Sequence, residues 1–282
     1  MSTRPLISCV MVTADRHLLC RRAIKSYNAQ TWENRELVVL DNGNEPMESL
    51  LSDLPYGQVV YRHMPNNPDT TIGELRNLSL EMVNGDLVVP QWDDDDWSAP
   101  DRLERQAAAL NKEGADAVTL YATLMHVDDP SFFDHPFYGL LKGGVPPTIL
   151  HRRDDEVRFP ELRRTSDTTY KNVWRSRTYH IMPMQDAHLH LRYFHGSNLW
   201  EQDHFLRRMR NTPKDLLAYG WHKFIRRNVL GHPRFRISDE ARTAFETYLA
   251  HSRECGIFGG RDGGVGGDSG GDGESDRGGA AD

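Results

Sequence analysis

Four short runs of branched apolar residues, at 7–12, 37–40, 59–61 and 87–89, punctuate the first third of the chain, and each reads as a buried strand. Helical periodicity fills two of the gaps. Leu19, Ala23, Ile24 and Tyr27 share one face of a helix running to about Ala29. Ile72, Leu75, Leu78 and Met82 share the inward face of another that begins near Thr71, with Gly85 placed to end it. Alternation of this kind predicts an α/β fold, with a mostly parallel, Rossmann-like sheet flanked by helices. Ligands of such sheets bind outside the carboxyl ends of the strands. Three polar clusters hold that position: Thr13 to Arg16, Asp41 to Asn44, and Asp93 to Asp96.

Farther along, Ser98 is placed to cap a helix and Asp101 to close a capping box, with Leu103, Ala107 and Leu110 on the apolar face. Residues 116–125 read as one strand, 128–147 as irregular, and 148–150 as extended again. A helix carrying Tyr170, Val173 and Trp174 follows Asp167. Short strands are expected at 180–183 and 188–194, and mostly helix from 203 to about 253. Beyond Gly259 there are almost no apolar side chains, too few to offset the entropy of ordering a chain, so a disordered Gly/Asp-rich tail is expected at 259–282. This divides the chain into a domain at 1–200, a helical extension packed on it at 201–258, and the tail.

The formal net charge is −7, and the tail, with six acidic residues and two Arg, accounts for −4 of it. The remaining −3 is a poor match to a nonspecific nucleic-acid binder, so no nucleic-acid partner is expected. Three scattered cysteines without CxxC spacing suggest neither a disulfide framework nor a zinc site. The first residues do not read as a signal peptide, and no apolar run approaches the roughly 20 residues needed to span a bilayer. A soluble cytoplasmic protein is therefore expected. Between Tyr219 and Leu230, aromatics mix with Lys223, Arg226 and Arg227. That mixture allows peripheral membrane contact, but a packed C-terminal helix is the preferred reading.

The most informative run is Trp92-Asp-Asp-Asp-Asp-Trp97. Consecutive carboxylates repel one another and call for a cation. At a strand end they suit Mg2+ or Mn2+, which prefer oxygen ligands and keep positions open for phosphates. The plain alternative is an acidic surface turn favouring the start of the next helix. Asp41 could hold a nucleobase or ribose, or simply form an Asx turn with Gly43. Arg76 could pair with base or phosphate, or be a solvated helical Arg. Trp92 and Trp97 could line a sugar pocket or lie in the core.

Taken in order, the motifs resemble the family-2 glycosyltransferases of the GT-A fold. Cys9-Val-Met-Val-Thr-Ala-Asp-Arg16 is similar to the family's opening strand and turn. The pair Ser26-Tyr-Asn-Ala-Gln-Thr-Trp32 and Glu36-Leu-Val-Val-Leu-Asp-Asn-Gly-Asn44 is similar to its second strand. Gly73-Glu-Leu-Arg-Asn77 resembles its Arg-Asn helix, and Asn84-Gly-Asp-Leu-Val-Val89 with Asp93 to Asp96 resembles its aspartate motif. Thr148-Ile-Leu-His-Arg-Arg153 and Phe194-His-Gly-Ser-Asn198 extend the resemblance to about Trp200.

The resemblance implies roles residue by residue. Thr13, Asp15 and Asp41 would hold the nucleoside, with Arg76 near the base and Asp93 and Asp94 beside the nucleotide. Asp93 and Asp95 are the two ends of the Asp-x-Asp pattern and would bind the metal, Mn2+ or Mg2+, joined by His195. Asp167, in Arg164-Thr-Ser-Asp-Thr-Thr-Tyr170, would be the general base, with Ser166 where the family has Glu; a bland helix cap is its alternative. Gln202-Asp203 competes for the base position but comes after the His-x-x-Asn element, out of the family's order. The implied reaction is inverting transfer of a hexose-like sugar from a nucleotide-diphosphate donor to a hydroxyl of a glycan, lipid-linked or protein acceptor. The alternatives are a nucleotidyltransferase, which lacks support from any Gly-rich, Lys-bearing loop after the first strand, and a noncatalytic sugar-nucleotide-binding module, which Ser166 would favour.

Overall fold

β1 (Ile7–Thr13) is an interior strand, flanked in parallel by β2 (Arg35–Asp41) and β4 (Leu87–Val89). A computed structural model describes residues 4–55, 57–163, 165–196 and 206–258. Arg164, Asn198, Gln202, Asp203 and the 259–282 tail lie outside the described residues. β3 (Val59–His63) extends the sheet beyond β2, again in parallel. On the other side β9 (Leu150–Arg152) runs antiparallel to both β4 and β6 (Ala117–Leu120), and β10 (Tyr179–Met182) pairs in parallel with β6. The resulting seven-stranded order is β10-β6-β9-β4-β1-β2-β3. One reversed strand in a parallel sheet agrees with the mostly parallel α/β expectation.

Strand alternation sends successive side chains to opposite faces, and both faces here are covered. Ile7, Cys9, Met11, Leu37 and Val39 pack with Ala23, Ile24 and Tyr27 of α1 (His17–Asn28) and with Leu103, Ala107 and Leu110 of α3 (Arg102–Lys112). Val10, Val38 and Val88 face the other way, in the cluster that holds Leu80 of α2 (Ile72–Leu80) and Tyr170 and Trp174 of α4 (Ser166–Trp174). Burial on both sides explains why these strands read as continuous apolar runs. Cys9 and Cys20 are buried, and all three cysteines are free thiols.

A second sheet stands apart, in the order β5-β11-β7-β8. It contains β5 (Trp97–Ser98), β11 (His190–Phe194), β7 (Ala122–Val127) and β8 (Phe137–Leu140). After α5 (Pro213–Gly220), α6 (Asp239–Glu254) packs Ala241, Phe245 and Tyr248 against Trp97, Leu124, Leu191 and Tyr193 of this sheet.

Three local expectations need correction. The single strand expected at 116–125 is two: β6 pairs within the first sheet and β7 within the second, the chain changing sheets at Tyr121. Uniform burial of both halves hides that change of partner. β8 lies inside the segment read as irregular. Ser98 does not cap α3; it pairs with His190 in β5, and its hydroxyl accepts a bond from Arg102 Nη1 at 2.8 Å. The helix begins at Arg102 with no side-chain cap. No helix among the described residues is long and apolar enough to cross a membrane.

His151 in β9 ties the sheet to α4. Its Nδ1–H donates to the Arg152 carbonyl (2.8 Å), so Nε2 is the acceptor for the Tyr170 hydroxyl (2.9 Å), and the ring stacks on Trp174 at 4.1 Å. Burial pushes its pKa down to about 4 from 6.5. The unfolded chain therefore binds the proton first, and stability contributed by neutral His151 is intact above pH 6.5 and lost as the pH falls towards 4. The loss amounts to about 3 kcal/mol. Urea unfolding across this range is expected to show an acid loss smaller by about that amount in His151→Gln than in the parent; equal losses would refute the assignment.

Candidate active site

β4 stops at Val89, opposite Cys9, four residues before β1 ends at Thr13. The chain then crosses the carboxyl edge of the sheet. Trp92 N donates to the Val10 carbonyl at 2.7 Å, which sets residues 93–96 beside the end of β1. Both flanking tryptophans are core residues: Trp92 donates to the Ala23 carbonyl (3.1 Å) and Trp97 to His251 Nδ1 (3.2 Å). They clamp the acid loop from either side and do not line a sugar pocket.

Each carboxylate has its own partners. The Thr13 hydroxyl donates to Asp94 Oδ2 at 2.7 Å. Arg16 Nη1 reaches Asp94 Oδ1 at 3.2 Å and Asp95 Oδ2 at 3.4 Å. Arg76 Nη2 lies 3.6 Å from Asp93 Oδ1, and His195 Nε2 lies 3.5 Å from Asp95 Oδ2. Asp96 accepts from the Tyr193 N–H at 3.3 Å and pairs with His190 Nε2 at 3.1 Å. Burial, followed by the neighbouring Arg102, holds His190 well below its usual range, so the ring is neutral. Its Nδ1 accepts from Arg102 at 3.1 Å, which leaves Nε2–H to donate to Asp96. Asp94 and Asp96 are only 4% and 7% exposed, which excludes the solvated-turn alternative.

Burial pushes Asp93, Asp94 and Asp96 up to about 7, and the charge on Asp95 adds to each shift. Burial acts on Asp95 in the same direction, but the His195 hydrogen bond and the Arg16 and Arg192 charges outweigh it and hold Asp95 below the usual carboxylate range. The loop thus carries one secured negative charge and three carboxyls whose ionisation a further cation would favour. Asp95 and His195 set an oxygen and a nitrogen donor side by side. Among the described residues no group of three or more His, Cys, Asp or Glu side chains is placed to hold a metal ion. Such an open pair suits a divalent cation that completes its shell with phosphate oxygens and water.

A cleft of about 300 Å³ opens over the loop and is lined by Arg16, Arg76, Asp93 to Asp96, Ser166, Asp167 and Arg192. Ser166 is buried at the start of α4, and its hydroxyl accepts from Arg76 Nη1 at 3.2 Å, so Arg76 bridges Ser166 and Asp93. Before it, Thr165 sits at φ 63°, a left-handed conformation that costs a β-branched residue roughly 1–3 kcal/mol. Asp167 comes next in the first turn, half-buried, with its Oδ1 accepting from the Thr168 N–H at 2.7 Å.

Three of the expected nucleotide residues, Thr13, Asp15 and Asp41, do not line the cleft. Asp41 is buried and accepts from Gly43 N (3.0 Å), Met47 N (2.9 Å) and the Tyr61 hydroxyl (2.9 Å). Asp15, at φ 54°, accepts from Asn44 N (2.8 Å), Asn44 Nδ2 (2.8 Å) and Glu45 N (3.1 Å). Both carboxylates shape the loop after β2. Gly43 is required there, because a Cβ would lie 2.7 Å from Asp15 Oδ1. Sequence reasoning placed Arg16 in a strand-end cluster without giving it a role, and missed Arg22, Arg192 and the Arg102–His190 pair. Four adjacent carboxylates demanded cations, but linear spacing did not say which arginines the fold would supply.

The fold has known counterparts. The profile described as Glycosyl transferase family 2 matches residues 8–232. The chain belongs to that family. Over 106 residues it is 31% identical to the putative colanic acid biosynthesis glycosyl transferase WcaA of Escherichia coli (strain K12); the match covers 36% of this chain and 37% of that relative's length. Among solved structures it is similar to S. aureus TarS 1–349 in complex with UDP, with a TM-score of 0.54, 14% identity, and 88% of this chain and 80% of that one covered. It is also similar to the mannosyltransferase PcManGT from Pyrobaculum calidifontis in complex with GDP-Man and Mn2+, with a TM-score of 0.53, 15% identity, and 92% and 77% covered. These likenesses establish a shared GT-A fold.

In this member of the family the acid loop is also held from behind. Arg22 of α1 is fully buried, its Nη2 donating to the Asp95 carbonyl at 2.6 Å and its Nη1 to the Ser252 hydroxyl of α6 at 3.2 Å. Its guanidinium lies 4.9 Å from the Tyr193 ring and 4.8 Å from that of Tyr248. Arg22→Met keeps much of the volume but leaves the Asp95 carbonyl unpaired. Chemical denaturation is expected to show a loss of about 3 kcal/mol, with Arg22→Lys failing to restore it because an ammonium cannot fork to both acceptors. Parent-like stability in either variant would contradict this role.

Proposed function

We propose that the cleft transfers a sugar, with inversion, from a nucleotide-diphosphate donor to a hydroxyl acceptor. The observation that carries this reading is the meeting of Asp167 and Asp95 in the lining of one cleft, with His195 held against Asp95 at 3.5 Å. The UDP in the TarS complex and the GDP-Man and Mn2+ in the PcManGT complex support a nucleotide-sugar donor and a divalent cation.

Asp95 and His195 would hold the cation, Mn2+ or Mg2+, and Asp93, on the same loop, would complete the Asp-x-Asp pair. When bound, the cation supplies charge neutralisation to the departing diphosphate. Arg16 and Arg192, lining the same cleft, place fixed positive charge where phosphate oxygens gather. Thr13 orients Asp94, and the loop shaped by Asp15 and Asp41 borders the nucleoside end. Arg76, fixed between Ser166 and Asp93, presents its guanidinium to the base or a phosphate. Asp167 takes the proton of the acceptor hydroxyl, which is a poor nucleophile until it loses it. Ser166, the one feature that favoured a noncatalytic module, is accounted for as the acceptor that positions Arg76.

Calorimetric titration of UDP, GDP and dTDP, each with and without Mn2+, is expected to reveal one nucleotide whose binding requires the metal and is abolished in Asp95→Ala. Asp167→Asn should bind that nucleotide as the parent does, yet lose at least about a hundredfold in turnover of the matching nucleotide sugar. If no nucleotide binds under any condition, the reading fails.

A further inference from the structure

Residues 206–238 present apolar side chains on two opposite sides. The inner side is anchored: Met209 is fully buried, and Leu206, Tyr219, Val229 and Phe235 pack with it against Phe137 and Met125. The outer side belongs to α5 and to the π-helical turn that continues it, Trp221–Ile225. Leu217, Trp221, Phe224 and Ile225 recur at i, i+4, i+7 and i+8 and so form one stripe. They are 75%, 54%, 71% and 63% exposed, and Leu216 widens the ridge. The packed helix preferred from the sequence is therefore only partly what the fold makes; Leu216, Leu217, Trp221, Phe224 and Ile225 face outward.

Charge selects what can cover that ridge. Residues 206–238 contain nine Lys and Arg against a single carboxylate, Asp215. Asp215 is buried and bonded to Arg234 at 2.6 Å, so it is not available to the outer face. Lys214, Lys223, Arg226 and Arg227 are exposed around the stripe. A second copy of the ridge would bring like charges together. The acidic stretch 259–282 has charge of the right sign, but Val265 is its one large apolar residue and cannot cover four. A surface that is apolar beneath and anionic at its boundary fits both properties.

We infer that this ridge docks on an anionic lipid bilayer, with Leu217, Trp221, Phe224 and Ile225 entering the interface and Lys214, Lys223, Arg226 and Arg227 lying at the phosphate level. The docking stands independently of the reaction assigned to the cleft.

The full chain is mixed with vesicles of phosphatidylcholine alone or of phosphatidylcholine with phosphatidylglycerol. Cosedimentation is expected with the anionic vesicles, at least about tenfold stronger than with the neutral ones. Trp221 is the exposed tryptophan among the described residues, so its emission should shift to the blue on binding. Lys223→Gln/Arg226→Gln/Arg227→Gln should weaken partitioning about a hundredfold. Leu217→Ser/Phe224→Ser changes only exposed side chains and should abolish the blue shift while leaving the unfolding midpoint unchanged. Absence of binding to anionic vesicles, or equal binding to both kinds, overturns the inference. So does a concentration-dependent dimer that Leu217→Ser/Phe224→Ser dissolves while vesicles are ignored, which would assign the ridge to a second copy.

Discussion

Four consecutive carboxylates placed at the edge of a buried sheet are the constraint around which the rest of this structure is arranged. Left alone they would not remain charged, and burial indeed lifts three of the four towards neutrality. The fold answers with cations from separate elements: Arg16 after β1, Arg76 from α2, Arg192 from β11, and Arg22 from α1 on the Asp95 carbonyl. Arg102 acts at one remove, fixing the tautomer of His190 so that its N–H is aimed at Asp96. Removing any one partner would leave charge or a carbonyl buried without compensation, which costs more than the pairing itself contributes. Through Arg22 the requirement reaches Ser252 of α6, more than 150 residues from the loop in sequence, so that helix is part of the site's support.

Much of the first sheet was legible because its strands are buried on both faces and its helices carry a clean apolar stripe. Legibility failed where the same composition admits two partners. Ala117–Leu120 and Ala122–Val127 are equally apolar, and only hydrogen-bond partners assign them to different sheets. Ser98 has the chemistry of a helix cap, but a strand partner, His190, claims its backbone first. At 213–225 the periodicity of a helix is present, but a helical stripe says nothing about whether the face it marks is covered.

Within the site the same distinction separates residues that a strand-end rule treats alike. Asp15, Asp41 and Asp94 all lie just after parallel strands or at their ends, and all carry carboxylates. Asp41 commits its oxygens to three donors of its own neighbourhood, and Asp15 does so to three more from residues 44 and 45. Asp94 commits its oxygens to Thr13 and Arg16 and still lines the cleft. Position after a strand therefore selects candidates, and the acceptor capacity left after folding decides between them. By that measure the loop after β2 is a rigid wall built by Asp15, Asp41 and Gly43. The polar groups that do line the cleft come instead from the acid loop, from the first turn of α4, and from the arginines Arg16, Arg76 and Arg192.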